Sequence, residues 1–493
     1  MNQLAQLDQK FVWHPFTQMR DWLRREPLVI VEGQGAVLHD AKGREFLDAN
    51  ASIWTNLHGH RHPKINAAIQ RQLKKIAHSS ALGLANEPAS RLAGKLVNAA
   101  NSISPAECRL NKVFFSDDGS TALEVALKLA YEFTRRARAK PLERGRRPSV
   151  KTARSPQPRF ISLAGAYHGD TIGAVSLGHI DRFHKAYGGM LFKSDKVMSP
   201  YCYRCPFNQA KPERADAREY RKCHWECVGK VEQKFSAQKN KGNPFAAFVF
   251  EPLMQGAAGM VPQPTGWLRQ IAEIARSHGA LLIADEVMTG FGRTGRAGAE
   301  SGKRKADTLF ASHQEGVQPD FLCVAKGLTG GYLPMAATLT TREIFDAFLG
   351  EYEEFKTFFH GHSFTGNQLG AAAALASLEL LQSKKSIGQR GQLQQQLHDE
   401  LQSLWVLPHI GDIRQVGLVA GIELVKDWRT RAPYALRERA GIRVCEAMAK
   451  RGVLTRPVGN VIVLMPPYCT TRAQLQKTVS ALREGIIELG KKQ

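Results

Sequence analysis

The chain has 493 residues, 43% of them apolar and 23% charged, with a formal net charge of +23. That length supports a large core and two domains, and no stretch approaches the ~18 consecutive apolar residues of a membrane span. Much of the positive charge falls in RRARAKPLERGRRPSVKTARSPQPR (135–159) and SGKRKAD (301–307); these aperiodic stretches read as solvated insert loops, not as a nucleic-acid surface.

The first 19 residues, MNQLAQLDQKFVWHPFTQM, hold no apolar core of a signal peptide, which predicts a cytoplasmic protein. Residues 27–49 carry strand and turn signals. The run KVFFS (112–116) predicts a strand, and Ala122, Leu123, Ala126, Leu127 and Ala130 recur at helical spacing after it. Further strands are predicted at 159–165 and 245–252, then a helix over 266–279 ending at Gly279. The runs ALLIADEV (280–287) and DFLCVAKG (320–327) follow. Strands alternating with helices imply an α/β fold whose mainly parallel sheet is covered on both faces. The last third changes character, with a long helix over 366–383, strands at 416–425 and 461–467, and a helix over 435–451. This predicts a small α+β domain built from both chain ends: 1–64 and 366–493, around a large domain at 65–365. The large domain carries basic inserts near 135–159 and 297–313 and a cysteine-rich lobe at 200–230.

In such a sheet the chemistry lies at the C-terminal strand ends. Asp285 follows five apolar residues, and a carboxylate there needs a compensating partner such as a buried cation. Gly119 and Ser120 open a helix, where backbone N–H groups and a hydroxyl can seat a phosphate. Tyr167, after the strand at 159–163, could cover one face of a ring. Lys326 follows another buried run; an amine in a dry site has a lowered pKa and condenses with an aldehyde. Each feature also has a plain structural reading, as a cap, a loop aromatic or a surface lysine. Together they fit pyridoxal phosphate (PLP), with Asp285 facing the cationic ring nitrogen. Cys202, Cys205, Cys223 and Cys227 have zinc-like spacing, but reduced cysteines in a loop explain it as well, so no metal is assigned.

LLIADEVMTGFGRTG followed by VAKGLTGGYLP resembles the class III, fold-type I PLP-dependent aminotransferases. WHPFTQM (13–19), IWTNLHGHRHP (53–63), AYHGDTIGAVSLG (166–178), EPLMQGAAGM (251–260), FFHGHSFTGNQLG (358–370) and LTRPVGNVIVLMPPY (454–468) are similar to the 7,8-diaminononanoate synthase branch of biotin biosynthesis. The resemblance implies a homodimer with a shared active site that aminates 8-amino-7-oxononanoate. Lys326 is then the cofactor-binding lysine and Asp285 the ring-nitrogen partner, with Tyr167 stacked on the ring. Gly119 and Ser120 hold the phosphate, with His362 and Ser363 reaching in from the neighbouring subunit. Phe16, Ile53, Trp54, Tyr167, Lys326, Gly361 and Arg456 meet substrate, Arg456 gripping a carboxylate. Phe16 and Ile53 stand where members using S-adenosylmethionine as amino donor carry a tyrosine and a tryptophan. S-adenosylmethionine is the donor by default of the branch; L-lysine, or another class III ω-aminotransferase activity, is the alternative.

Overall fold

The computed structural model describes residues 2–102, 109–138, 157–295 and 309–491. Most of both basic inserts, and with them SGKRKAD, lies outside the described residues. The central sheet has seven strands in the order Leu110–Ser116, Ala336–Thr341, Phe321–Val324, Leu281–Asp285, Phe245–Phe250, Arg159–Leu163 and Asp195–Val197. Ala336–Thr341 is antiparallel to both neighbours, and the remaining pairings are parallel. Six strands therefore point one way and share one C-terminal edge.

Side-chain parity explains why these runs read as continuously apolar. Phe248, Phe250, Leu282, Ala284, Leu322 and Val324 face a core completed by Trp267, Leu268 and Ile271 of the helix Trp267–Ser277. The alternate residues Ala247, Val249, Ile283, Phe321 and Cys323 face the helix Gly119–Arg138 through Leu123, Ala126 and Ala130. Both faces are covered, so neither can be polar. Gly279 takes φ +74° just after Trp267–Ser277, a conformation that suits glycine at a helix end.

The chain ends meet in a second region. Ile30–Gln34, Val37–Asp40 and Glu45–Asp48 form an antiparallel sheet that Val453–Leu454 joins in parallel, with Leu454 opposite Asp48. Ile410–Val416, Val419–Asp427, Val461–Leu464 and Pro457–Val458 form another antiparallel sheet. The helices Ala440–Lys450 and Arg472–Lys491 pack on each other beside it. Among the described residues no helix is long and apolar enough to cross a membrane.

Candidate active site

A cavity of about 410 Å³ opens at the C-terminal strand edge, and Gly119, Ser120, Tyr167, Asp285, Lys326 and Trp54 all line it. Five separate segments thus bring these residues to one place.

Asp285 ends its strand and is 5% exposed. His168 Nδ1 lies 2.8 Å from Asp285 Oδ2, and Val287 N–H donates to Oδ1 at 3.1 Å. These contacts fix the carboxylate plane. His168 is itself buried, and among the described residues its Nε2 has no hydrogen-bond partner. Lys326 lies three residues beyond Cys323, the residue paired with Asp285 across the sheet. Its φ of +40° is unusual for a side-chain-bearing residue and marks strain held by the surroundings. Lys326 Nζ lies 5.4 Å from the centroid of the Trp54 ring. Burial lowers the Lys326 pKa below that of ordinary lysine, opposed by Asp285, Glu251 and Asp118. An amine so placed is available unprotonated nearer neutrality.

Gly119 starts a 20-residue helix, and a Cβ there would come within 2.7 Å of Val287 Cγ1. Asp118, which also lines the cavity, is tied to the helix start: Thr121 N–H donates to its Oδ1 at 2.9 Å, while its own N–H donates to Thr121 Oγ1. Ser120 Oγ accepts from Asp170 N–H at 3.2 Å. Gly169, at φ +118°, lies so close to Ser120 that a Cβ would fall 2.2 Å from Ser120 Oγ. Tyr167 donates to Asp170 Oδ2 at 2.6 Å, which orients its ring.

The motif reading singled out neither His168 nor Glu251. Glu251 follows the strand Phe245–Phe250, is buried, and accepts from Gly256 N–H at 2.8 Å and Tyr167 N–H at 3.2 Å. Burial pushes its carboxyl up to about 7, opposed by His168 and assisted by Asp285. It lines the same cavity.

The other predicted substrate residues are placed differently. Trp54 belongs to a turn in which Ala51, Ser52, Ile53 and Trp54 all have φ between +44° and +68°. With Trp54 N–H donating to Asn50 O at 2.9 Å and Thr55 N–H to Ala51 O at 2.9 Å, this is one turn of left-handed helix. Such a turn costs about 1–2 kcal/mol per residue. Ile53 is 45% exposed. Phe16 is exposed and lies edge-on to Tyr167 at 6.5 Å and to Phe183 at 5.3 Å between ring centroids. Arg456 is exposed between Val453–Leu454 and Pro457–Val458, and no carboxylate among the described residues pairs with it. Gly361, His362 and Ser363 do not line the cavity of their own chain. His362 Nδ1 is 3.5 Å from Asp117 Oδ2 at the cavity wall, and Ser363 O lies 2.9 Å from His78 Nε2.

Cys202, Cys205, Cys223 and Cys227 converge on a separate void of about 10 Å³, where Arg221 donates to Cys223 Sγ at 3.1 Å. All four are free thiols. Among the described residues no group of three or more His, Cys, Asp or Glu side chains is positioned to hold a metal ion.

Comparison with known proteins gives one answer. The adenosylmethionine-8-amino-7-oxononanoate aminotransferase of Nitratidesulfovibrio vulgaris is 47% identical over 98% of this chain and 81% of its own length. The crystal structure of the Methanocaldococcus jannaschii protein of the same name superposes with a TM-score of 0.83 at 38% identity, covering 98% of each chain. An omega transaminase from Pseudomonas jessenii, solved in complex with PMP, has a TM-score of 0.84 at 26% identity, over 100% of this chain and 99% of its own. The family model for class-III aminotransferases matches residues 19–486, and the chain belongs to that family.

Proposed function

We propose that this protein transfers an amino group to 8-amino-7-oxononanoate, giving 7,8-diaminononanoate, with PLP as cofactor and S-adenosylmethionine as donor. The observation that carries the reading is the convergence of Lys326, Asp285, Tyr167 and the Gly119–Ser120 helix start on one cavity, within a chain 47% identical to a relative named for that reaction.

The residues suit the cofactor. The tight approach at Gly119 and Gly169 leaves backbone N–H groups of a long helix for a phosphate. The buried Asp285 suits a cationic ring nitrogen, and Tyr167 offers an aromatic face. When bound, PLP supplies an aldehyde that receives the amino group and a ring that draws electrons from the neighbouring carbon. Lys326 then has two tasks. Its amine would hold the aldehyde between turnovers and, with the donor amine in its place, would take the proton from the donor's α-carbon and return it to the cofactor's former aldehyde carbon. Asp285, oriented by His168, would keep the proton on the ring nitrogen. Trp54 and Tyr332 wall the cavity on the side of the left-handed turn. Arg456, exposed and without a carboxylate partner, is assigned to the acceptor's carboxylate.

We assign residues 1–64 and 366–493 to a small domain and 65–365 to the large one, in a cytoplasmic homodimer. Gly361, His362 and Ser363 are assigned to the partner subunit's site. Exposed apolar side chains support this: Leu82, Leu84, Phe359 and Phe364 are all more than half exposed, and their segments are tied by the His78–Ser363 and Gln368–Ser79 contacts. Exposed apolar residues so grouped mark a protein interface.

L-Lysine is the second donor reading, favoured by Phe16, whose ring reaches Tyr167 without a hydroxyl to offer. Loss of the absorbance of the lysine-bound cofactor on adding each donor separately tests the choice. Conversion by S-adenosylmethionine alone supports the first reading, and conversion by lysine alone replaces it.

A further inference from the structure

We infer that Asp48 is a positioning residue of this site: it holds the left-handed turn at 51–54 in the form that presents Trp54 to Lys326. The inference rests on the aminotransferase reading for its consequence, but not for its geometry.

Asp48 ends the strand Glu45–Asp48 and is 4% exposed. It accepts from Ser52 N–H at 2.9 Å and from Ser52 Oγ–H at 2.8 Å, and His60 Nε2 lies 3.1 Å from the same carboxylate. His60 Nδ1 in turn lies 3.0 Å from Asn56 Nδ2. One carboxylate therefore clasps the second residue of the left-handed turn and, through His60 and Asn56, the chain that leaves it. Ser52 sits at φ +47° and ψ +56°, and Ile53 at φ +62° and ψ +53°. A side-chain-bearing residue adopts these angles only when its surroundings outweigh the strain. The turn is also pinned from outside. Trp54 Nε1 donates to Asn50 Oδ1 at 2.8 Å. Gly331 lies so close to Thr55 and Asn56 that a Cβ there would meet Asn56 N at 2.8 Å.

Left-handed winding has a geometric result. It turns the chain within four residues from a buried strand to the cavity wall, which Trp54 and Thr55 line. Asp48 is also paired with Leu454, two residues before Arg456. The clasp thus ties the Trp54 wall to the strand that leads to the proposed carboxylate grip. A substrate chain running between Lys326 and Arg456 would have its lateral wall set by Asp48, a residue that does not itself line the cavity.

The test uses full-length Asp48→Ala, Ser52→Gly and the double variant, with amide hydrogen exchange by mass spectrometry and steady-state kinetics. Asp48→Ala is expected to speed exchange in 51–56 about tenfold or more and to raise KM for 8-amino-7-oxononanoate about tenfold, with kcat changed less than about threefold. Ser52→Gly in that background should restore most of the protection and most of KM, because glycine takes φ +47° without strain. A merely structural role for Asp48 elsewhere in the sheet would not be relieved by glycine at 52. Wild-type exchange rates in Asp48→Ala would overturn the inference, as would a double variant no better than the single. If Asp48→Ala does not fold, a folded double variant supports the inference and an unfolded one overturns it. Hydrogen exchange needs no turnover, so a failure of the substrate assignment alone would leave that arm standing.

Discussion

Asp285 and Glu251 are two buried carboxyls at adjacent strand ends, yet they face different surroundings. Asp285 has His168 at 2.8 Å. Glu251 has backbone donors instead, and burial raises its carboxyl to about 7, with His168 opposing and Asp285 assisting. A carboxyl raised above its unfolded value binds more protons in the folded state between the two pKa values. Stability therefore falls as pH rises from about 4.5 to about 7 and levels off above that. Glu251→Gln removes this contribution, so its stability relative to wild type is expected to improve across that window, by an amount on the order of 3 kcal/mol. Urea denaturation at several pH values checks it; parallel pH curves for the two proteins would contradict the assignment. At Asp285, substitution to Asn keeps the shape and removes the charge, and kcat is expected to fall by about 10²–10⁴ with the fold intact by circular dichroism. Lys326 and Asp285 were legible in the sequence because a charge directly after a buried apolar run needs an explanation. Glu251 carries the same signal after Phe245–Phe250 and could have been found by it. His168 could not: inside YHG it gives no sign that it turns inward to a carboxylate 117 residues away.

The elements that place these residues were unequally visible. Buried strands announce themselves as apolar runs, and five of the central strands were read that way. Ala336–Thr341 was missed: AATLTT is small and hydroxylated, and it is buried by its neighbours rather than by its own hydrophobicity, with Thr338 Oγ1 donating to Ala122 O at 2.7 Å. The left-handed turn at 51–54 was invisible too, because ASIW lacks the glycine that usually marks positive φ. Its existence depends on partners outside it, namely Asp48, Asn50 and the close-packed Gly331. Gly331→Ala tests that packing. At φ +83°, with a Cβ placed 2.8 Å from Asn56 N and Thr55 C, it is expected to destabilise the protein by roughly 1–3 kcal/mol, read as a lowered midpoint in denaturant. An unchanged midpoint would mean that the turn is not pressed against this glycine in solution.

At the scale of the molecule, the cavity belongs to a sheet formed by the middle of the chain, whereas Trp54 and Arg456 come from its two ends. Chain topology brings the two ends of the chain together: Val453–Leu454 joins the N-terminal sheet in parallel with Glu45–Asp48. That pairing could be guessed only loosely, since short strands carry little periodicity. The proposed dimer has a direct test. A Lys326→Ala subunit and a His362→Ala/Ser363→Ala subunit, each expected to be nearly inactive alone, should regain activity when refolded together, since half of the sites in a mixed dimer combine an intact lysine with an intact partner loop. Additive, unrestored activities would place each site within one chain.

The central claim is the reaction itself. Purified protein loaded with PLP would be incubated with 8-amino-7-oxononanoate and S-adenosylmethionine, or with L-lysine in its place, and 7,8-diaminononanoate followed by mass spectrometry. Lys326→Ala serves as the control. The expected result is product from wild type with one of these donors and none from the variant. Turnover of other amines, with 8-amino-7-oxononanoate left unchanged under both donors, would contradict the assignment.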